Sequence, residues 1–201
     1  MGEMKKLLFI ASLLLLLAFG IGSYNYVNHS KPGGTVATNS NSMQALWQPV
    51  QLRIPHMNID APVINVGKTA SGAMDAPVSQ AINSPYWTSV FWYDLGAAPG
   101  QAGNAVIAGH VDRVGGDPAI FWTLSSLGPG DDVYVITASR QSLHFVVDRV
   151  VAYPANTPSE EAINAVFGRT TEHHLNLITC SGVWTGNGYD QRLVVFTTQV
   201  S

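Results

Sequence analysis

Short runs of β-branched, aliphatic and aromatic residues, separated by turn-forming residues, occupy most of this 201-residue chain. Runs of this length are typical of β-strands, and the glycine, proline and asparagine between them indicate tight connections. The predicted strands are residues 50–54, 59–66, 89–93, 105–110, 133–137, 142–151 with a bend near Asp148, 175–180 and 192–200. Many short strands with little helix favour a closed β-barrel over a parallel α/β sheet.

One segment carries the signals of a helix. Thr157 is expected to cap it, Pro158 to occupy its first position and Glu160 its third, with the Thr157 and Glu160 side chains satisfying each other's backbone amides. An apolar face follows at positions 162, 163, 166 and 167. Residues 119–125 are expected to form one or two helical turns.

The amino-terminal part of the chain is predicted to reach a membrane. Lys5 and Lys6 precede an uncharged apolar run over residues 7–22, and no small-x-small cleavage site follows the run. The run has 16 residues, slightly fewer than the roughly 20 of a membrane span. Because no cleavage site follows, we predict that residues 1–24 form an uncleaved anchor helix, with a cleaved signal peptide as the alternative. Either segment exports the rest of the chain, and lysines held inside place the carboxyl-terminal bulk outside the cell.

A polar segment rich in asparagine, serine, threonine and glycine separates this run from the strands. Residues 25–48 are therefore predicted to be a flexible extracytoplasmic tether, and residues 49–201 to be the folded domain. Charged residues make up only 11% of the chain, and its net charge is −3. Without a basic face, nucleic-acid binding has no support. No phosphate-binding loop or zinc-type spacing occurs, so we expect no cofactor and no metal.

Three reactive side chains lie at the ends of predicted strands. Cys180, the only cysteine, closes the run 175–180, His110 closes the run 105–110, and Arg192 opens the last strand. A thiolate is a nucleophile, an imidazole transfers protons, and a guanidinium stabilises an oxyanion or holds a substrate backbone. If residues 181–191 form a hairpin, Cys180 and Arg192 become neighbours.

Each of these residues also has a structural interpretation. A free cysteine is most often a small buried hydrophobe. By itself, His110 could be a core or surface histidine and Arg192 a charge at a strand edge. The combination is therefore read either as a site for thiol-based acyl transfer or as three unrelated structural residues.

The chain resembles the sortases, membrane-anchored cysteine transpeptidases of bacterial surfaces, over about residues 50–200. The sortase signature ends Thr-Leu-x-Thr-Cys, and residues 176–180 read Asn-Leu-Ile-Thr-Cys, with Asn176 replacing the first threonine. The family histidine matches His110 after Ala108 and Gly109, and the family arginine matches Arg192. Further segments resemble the class F subgroup, which is close to class E; they are residues 53–55, 60–63, 99–100, 109–112 and 118–121.

The resemblance implies both a fold and an activity. The fold is a closed eight-stranded β-barrel with short helices. The enzyme would cleave a surface protein's sorting signal similar to Leu-Pro-x-Thr-Gly after its threonine, hold a thioester on Cys180, and pass the acyl group to an amine. The amine would belong to a peptidoglycan precursor or to another protein. The alternative is a tethered, non-catalytic barrel that binds a wall polymer or a protein and buries Cys180.

Three further residues are assigned to substrate binding. Asn176 and Thr179 belong to the signature run itself. Trp184 lies in the 181–191 loop, whose three glycines allow movement and close backbone approach. We expect Trp184 to line the groove that receives the sorting signal or the incoming amine. The alternative for Trp184 is packing of the loop on its own barrel.

Overall fold

The computed structural model describes residues 45–156 and 159–200, which form a closed eight-stranded β-barrel. The predicted anchor, residues 7–22, and most of the predicted tether lie outside these ranges. Within them, no helix has the length and apolar character needed to cross a membrane. Trp47, from the end of the predicted tether, packs against the barrel core.

The strands close the barrel in an order that differs from their order in the chain. The strands are β1 (Pro49–Ile54), β2 (Ile59–Val66), β3 (Val90–Tyr93), β4 (Gly103–Ala108), β5 (Asp132–Thr137), β6 (Ser142–Pro154), β7 (His173–Trp184) and β8 (Tyr189–Val200). They pair in the order β1-β2-β3-β4-β7-β8-β6-β5, and β5 closes on β1. The β2–β3 and β4–β7 pairs are parallel and the others antiparallel. The predicted barrel is confirmed, and a bulge between Val147 and Arg149 provides the predicted bend in β6.

Alternating side chains of the strands fill the barrel interior. Leu52 and Ile54 of β1 and Leu175 and Leu177 of β7 are all completely buried in one cluster. Phe121, from the loop after β4, enters the same cluster. Because side chains along a strand alternate between the two faces of the sheet, the intervening residues of β7 face outward.

One α-helix, α1 (Glu160–Phe167), lies in the segment predicted to be helical, but its start differs from the prediction. Ser159 is the N-cap, and its Oγ accepts the amide of Ala162 at 3.1 Å. The helix therefore begins two residues later than predicted, with Ser159 instead of Thr157 as its cap. Thr157 and Pro158 themselves lie outside the described residues. Ala162 and Val166 are buried.

Three short 3₁₀ turns complete the described structure, at Pro55–Met57, Pro85–Trp87 and Leu124–Ser126. The last corresponds to the helical turn expected over residues 119–125. The Pro85–Trp87 turn is stabilised at its start by Ser84, whose side chain accepts the Tyr86 amide. This turn directs Trp87 towards the end of β4.

Candidate active site

The parallel pairing of β4 and β7 places His110 beside Cys180. Ala108 pairs with Ile178, and the Gly109 amide donates to the Ile178 carbonyl at 3.0 Å. One residue further, Thr179 Oγ1 donates to the Gly109 carbonyl at 2.8 Å. The segments that follow Ala108 and Ile178 therefore run side by side up to His110 and Cys180. His110 itself lies two residues beyond the end of β4, not within the strand as the sequence predicted.

The antiparallel pairing of β7 and β8 places Arg192 directly opposite Cys180. Opposite residues of an antiparallel pair point to the same face of the sheet. The expectation that the hairpin makes these two residues neighbours is therefore confirmed. The residue that follows β4 and two paired residues of β7 and β8 therefore meet on one outer face of the barrel.

The β7–β8 hairpin is more regular than the predicted 181–191 loop. Both strands continue beyond Cys180 and Arg192, so that Trp184 pairs with Tyr189 and only residues 185–188 form the turn. A register shift occurs between Ser181 and Trp184. Gly182 allows it with a φ of +84°, and a side chain there would collide with Asp190. The Asp190 carboxylate accepts the Val183 amide at 2.7 Å, which holds the irregular segment.

Cys180 is partly buried, and its pKa is set by three neighbouring influences. Burial raises the pKa of the Cys180 thiol, the positive charge of Arg192 lowers it, and the negative charge of Asp112 raises it. The net result is a pKa above the ordinary value for cysteine. The resting thiol is therefore mostly protonated at neutral pH, and a thiolate must be generated for attack.

Arg192 is held in place by its own strand. Its Nη1 donates to the carbonyl oxygens of Gln191 at 2.8 Å and of Tyr189 at 3.1 Å. Both bonds use Nη1, and a guanidinium carries further N–H donors in a fixed plane. The remaining donors are available for a substrate oxygen.

The ring of His110 is fixed by a backbone carbonyl and two aromatic side chains. Nε2 lies 2.9 Å from the carbonyl oxygen of Pro77. Because a carbonyl only accepts, Nε2 carries the proton and, in the neutral ring, Nδ1 is the basic nitrogen. The Trp87 and Phe91 rings lie 5.1 Å and 5.4 Å from the imidazole. Among the described residues, no hydrogen bond joins His110 to Cys180.

Two of the residues assigned to substrate binding lie inside the protein. Asn176 is 1% exposed, and its Nδ2 donates to the Val166 carbonyl at 2.8 Å and to Asn104 Oδ1 at 3.2 Å. Thr179 is 4% exposed and bonded to Gly109. Both side chains tie the cysteine strand to neighbouring elements.

Trp184 is placed differently. It is 59% exposed, and its ring meets that of Tyr189 edge-to-face at 5.5 Å. A large exposed aromatic side chain on the hairpin that carries the cysteine offers an apolar surface to a peptide.

A model of the Sortase domain matches residues 52–200, which is well over half of the chain. The chain belongs to the sortase family. Together with the barrel, this membership indicates a cysteine transpeptidase. A comparison with curated proteins gives no sequence match.

Several solved sortases share the fold at low sequence identity. Sortase C-1 from Actinomyces oris is 20% identical, with a TM-score of 0.55 over 77% of this chain and 74% of that one. Sortase A from Corynebacterium diphtheriae is 18% identical, with a TM-score of 0.55 over 77% of this chain and 62% of that one. Pilus-related sortase C of Group B Streptococcus is 15% identical, with a TM-score of 0.56 over 77% and 68%. At these identities the likeness shows the fold alone.

The structure adds an acidic residue, Asp112, to this sortase site. Asp112 Oδ2 accepts a hydrogen bond from Tyr189 Oη at 2.6 Å. This bond joins the loop after His110 to the β7–β8 hairpin, and it raises the pKa of Tyr189 to about 12. The spacing of Asp112, two residues after His110, was the available sequence signal, but a carboxylate in a loop has no specific meaning without its partner.

Within residues 45–156 and 159–200, no group of three or more histidine, cysteine, aspartate or glutamate side chains is arranged to hold a metal ion.

Proposed function

We propose that this sortase cleaves a sorting signal similar to Leu-Pro-x-Thr-Gly and transfers the acyl group, through a thioester on Cys180, to an amine. The observation that carries the proposal is the adjacency of the three strands β4, β7 and β8. His110 follows β4, Cys180 lies on β7 and Arg192 lies opposite on β8. A nucleophile, a proton carrier and a fixed cation on one surface are what acyl transfer requires.

The first half of the reaction forms the thioester. His110 Nδ1 takes the proton of Cys180, and the positive charge of Arg192 stabilises the thiolate. The thiolate attacks the threonine carbonyl, and the remaining Arg192 N–H groups donate to the oxyanion, a contribution typically worth about 10²–10³-fold. His110 then gives its proton to the leaving amine, which contributes about 10²–10⁴-fold. Pro77 holds the ring in the required tautomer through Nε2.

The substrate would lie along the β7–β8 hairpin. Trp184 would provide an apolar wall for the extended peptide, and its exposure supports this position. Asn176 and Thr179 act in this scheme from inside the protein, since their hydrogen bonds fix the strand that carries Cys180. They would set the position of the thiol without touching the substrate.

The proposal includes the partners and the location of the enzyme. The acyl donors are exported surface proteins with a carboxyl-terminal sorting signal, and the acceptor is an amine of a peptidoglycan precursor or of another protein. Residues 7–22 would anchor the enzyme in the cell membrane, with the barrel outside. The class F subgroup remains a prediction from short segments such as residues 109–112.

The test detects the thioester intermediate directly. The full-length chain is incubated with fluorogenic peptides containing Leu-Pro-x-Thr-Gly, with x varied, and the acylated protein is identified by mass spectrometry. We expect peptide cleavage and an adduct on Cys180, and loss of both in Cys180→Ala. The control is Gln191→Ala, which trims an exposed side chain next to Arg192 and keeps its carbonyl.

The alternative function, a non-catalytic binding barrel, makes the opposite prediction. Cys180 would then resist iodoacetamide in the folded protein, and no peptide would be cleaved. Cleavage that persists in Cys180→Ala would also contradict the proposal, because it would show that the thiol is not the nucleophile.

A further inference from the structure

Asp112 places a negative charge at the site. It follows His110 by two residues, and Tyr189, whose hydroxyl donates to Asp112 Oδ2 at 2.6 Å, lies on the hairpin that carries Cys180 and Arg192. The charge of Asp112 raises the pKa of Cys180 and so opposes formation of the thiolate. No ion pair among the described residues includes Asp112. The neighbouring Arg113 is directed elsewhere, since its Nε donates to the Pro118 carbonyl at 3.0 Å. Among the described residues, Asp112 therefore forms no ion pair with a protein cation.

The loop after β4 holds this carboxylate rigidly. Asp112 and Pro118 form a β-bridge, the Ala119 amide donates to the Val111 carbonyl at 3.0 Å, and the Arg113 amide donates to the Asp117 carbonyl at 2.8 Å. A small hairpin thus carries Asp112 two residues beyond His110. Tyr189 bonds Oδ2, and among the described residues Oδ1 accepts no hydrogen bond.

The negative charge of Asp112, which is unfavourable beside a thiolate, is favourable beside a cation. The second substrate of a transpeptidase is a primary amine, and a lysine-type amine with a pKa of about 10.4 is an ammonium ion at neutral pH. In the acyl-enzyme the sulfur is neutral, so the unfavourable interaction between Asp112 and a thiolate has disappeared. In this state the negative charge of Asp112 can stabilise the bound ammonium ion of the incoming amine.

We propose that Asp112, held by Tyr189, is the binding site for the ammonium group of the acyl acceptor. The inference rests on the proposed function, because it concerns the step that follows thioester formation. Asp112 concentrates the amine between the thioester on Cys180 and the imidazole of His110. Tyr189 fixes Oδ2, and Oδ1 receives the ammonium.

The transfer step balances without another reactant. The bound ammonium gives one proton to His110 Nδ1, which passes it to solvent. The amine nitrogen then attacks the thioester carbonyl, the new C–N bond forms, and the C–S bond breaks. The nitrogen loses a second proton, which ends on the Cys180 sulfur. The products are the amide, the free thiol and one proton released to solvent.

The experiment separates acceptor binding from cleavage. Full-length enzyme receives a Leu-Pro-x-Thr-Gly peptide together with either cadaverine, a cationic amine, or hydroxylamine, which is neutral at pH 7. Three variants are compared with the unchanged protein. Asp112→Asn keeps an oxygen for Tyr189 and removes the charge, Tyr189→Phe removes the hydrogen bond and keeps the charge, and Asp117→Asn removes an exposed charge from the same loop.

The expected result is specific to the cationic acceptor. Asp112→Asn should raise the KM for cadaverine about tenfold, the order of one hydrogen bond to a charged group, and leave the KM for hydroxylamine unchanged. It should not slow release of the leaving peptide. Asp117→Asn should behave as the unchanged protein.

Two results would overturn the inference while leaving the proposed function intact. One is an equal effect of Asp112→Asn on both nucleophiles, or no effect on either. The other is a larger effect of Tyr189→Phe than of Asp112→Asn, which would show that the hydrogen bond merely joins the hairpin to the loop. Absence of peptide release in the unchanged protein would instead overturn the proposed function, and the inference with it.

Discussion

The two faces of strand β7 differ in what they contribute to the molecule. The inward face carries Leu175 and Leu177, which are fully buried in the barrel core, and Thr179, which is bonded to Gly109. The outward face carries Ile178 and Cys180, which are partly exposed. Adjacent residues of one strand therefore belong to the core and to the site.

This difference explains how a rigid fold presents a reactive thiol. The inward residues fix the register of β7 against both neighbours, because a slip by one residue would turn the leucines to the outside. That register alone decides that Cys180 lies opposite Arg192 and beside His110. The core thus sets the geometry, and the outward face supplies the chemistry.

Replacing the His110 imidazole should lower activity strongly while leaving the fold intact. We expect His110→Gln to lower kcat for peptide cleavage by about 10²–10⁴-fold, the usual contribution of acid–base catalysis. Glutamine keeps a donor for the Pro77 carbonyl. Steady-state kinetics and a urea titration are measured on the same preparation. A loss of activity matched by a loss of folded protein would show that His110 acts through packing between Trp87 and Phe91.

Truncating the inward face should have the converse effect. Leu177→Ala removes a fully buried side chain, and we expect the free energy of unfolding to fall by about 2–5 kcal/mol. A urea titration gives this value from the shift of the midpoint at constant slope. Cys180→Ala, on the outward face, serves as the matched comparison and should change stability far less. Equal losses in the two variants would contradict the division between the faces.

The inward face was also the part that sequence could predict. Alternating apolar residues and turn signals located all eight strands, because burial leaves a periodic trace in the sequence. The approach of Cys180 to Arg192 followed from the hairpin alone. The helix start was misplaced by two residues, because Thr157 has glutamate three positions later, as in a capping box, whereas Ser159 has Ala162 at that position.

The contacts that cross between distant loops could not be predicted. Pro77 meets His110 from a segment between β2 and β3, and Tyr189 meets Asp112 across the site. Neither contact can be recognised from a residue spacing or a periodicity in the sequence. Each depends on the three-dimensional positions of segments that are far apart in the chain. The sequence also did not show that Asn176, on the outward face of β7, would be buried, because its burial depends on the Val166 carbonyl and Asn104 from other parts of the chain.

Replacement of Trp184 should have the smallest effect on activity. It tests whether the outward face of the hairpin contributes to substrate binding beyond Cys180. The ring of Trp184 is 59% exposed and touches Tyr189 on the same hairpin. If it lines the peptide groove, Trp184→Ala should raise KM for the sorting peptide several-fold, since contacts of an aromatic ring are worth about 0.5–1.5 kcal/mol. The melting temperature should hardly change, because little of the ring is buried. Val183→Ala, which trims the neighbouring exposed side chain, is the control. A lower melting temperature with unchanged kinetics would assign Trp184 to packing of the hairpin, and the functional part of the outward face would then end at Cys180.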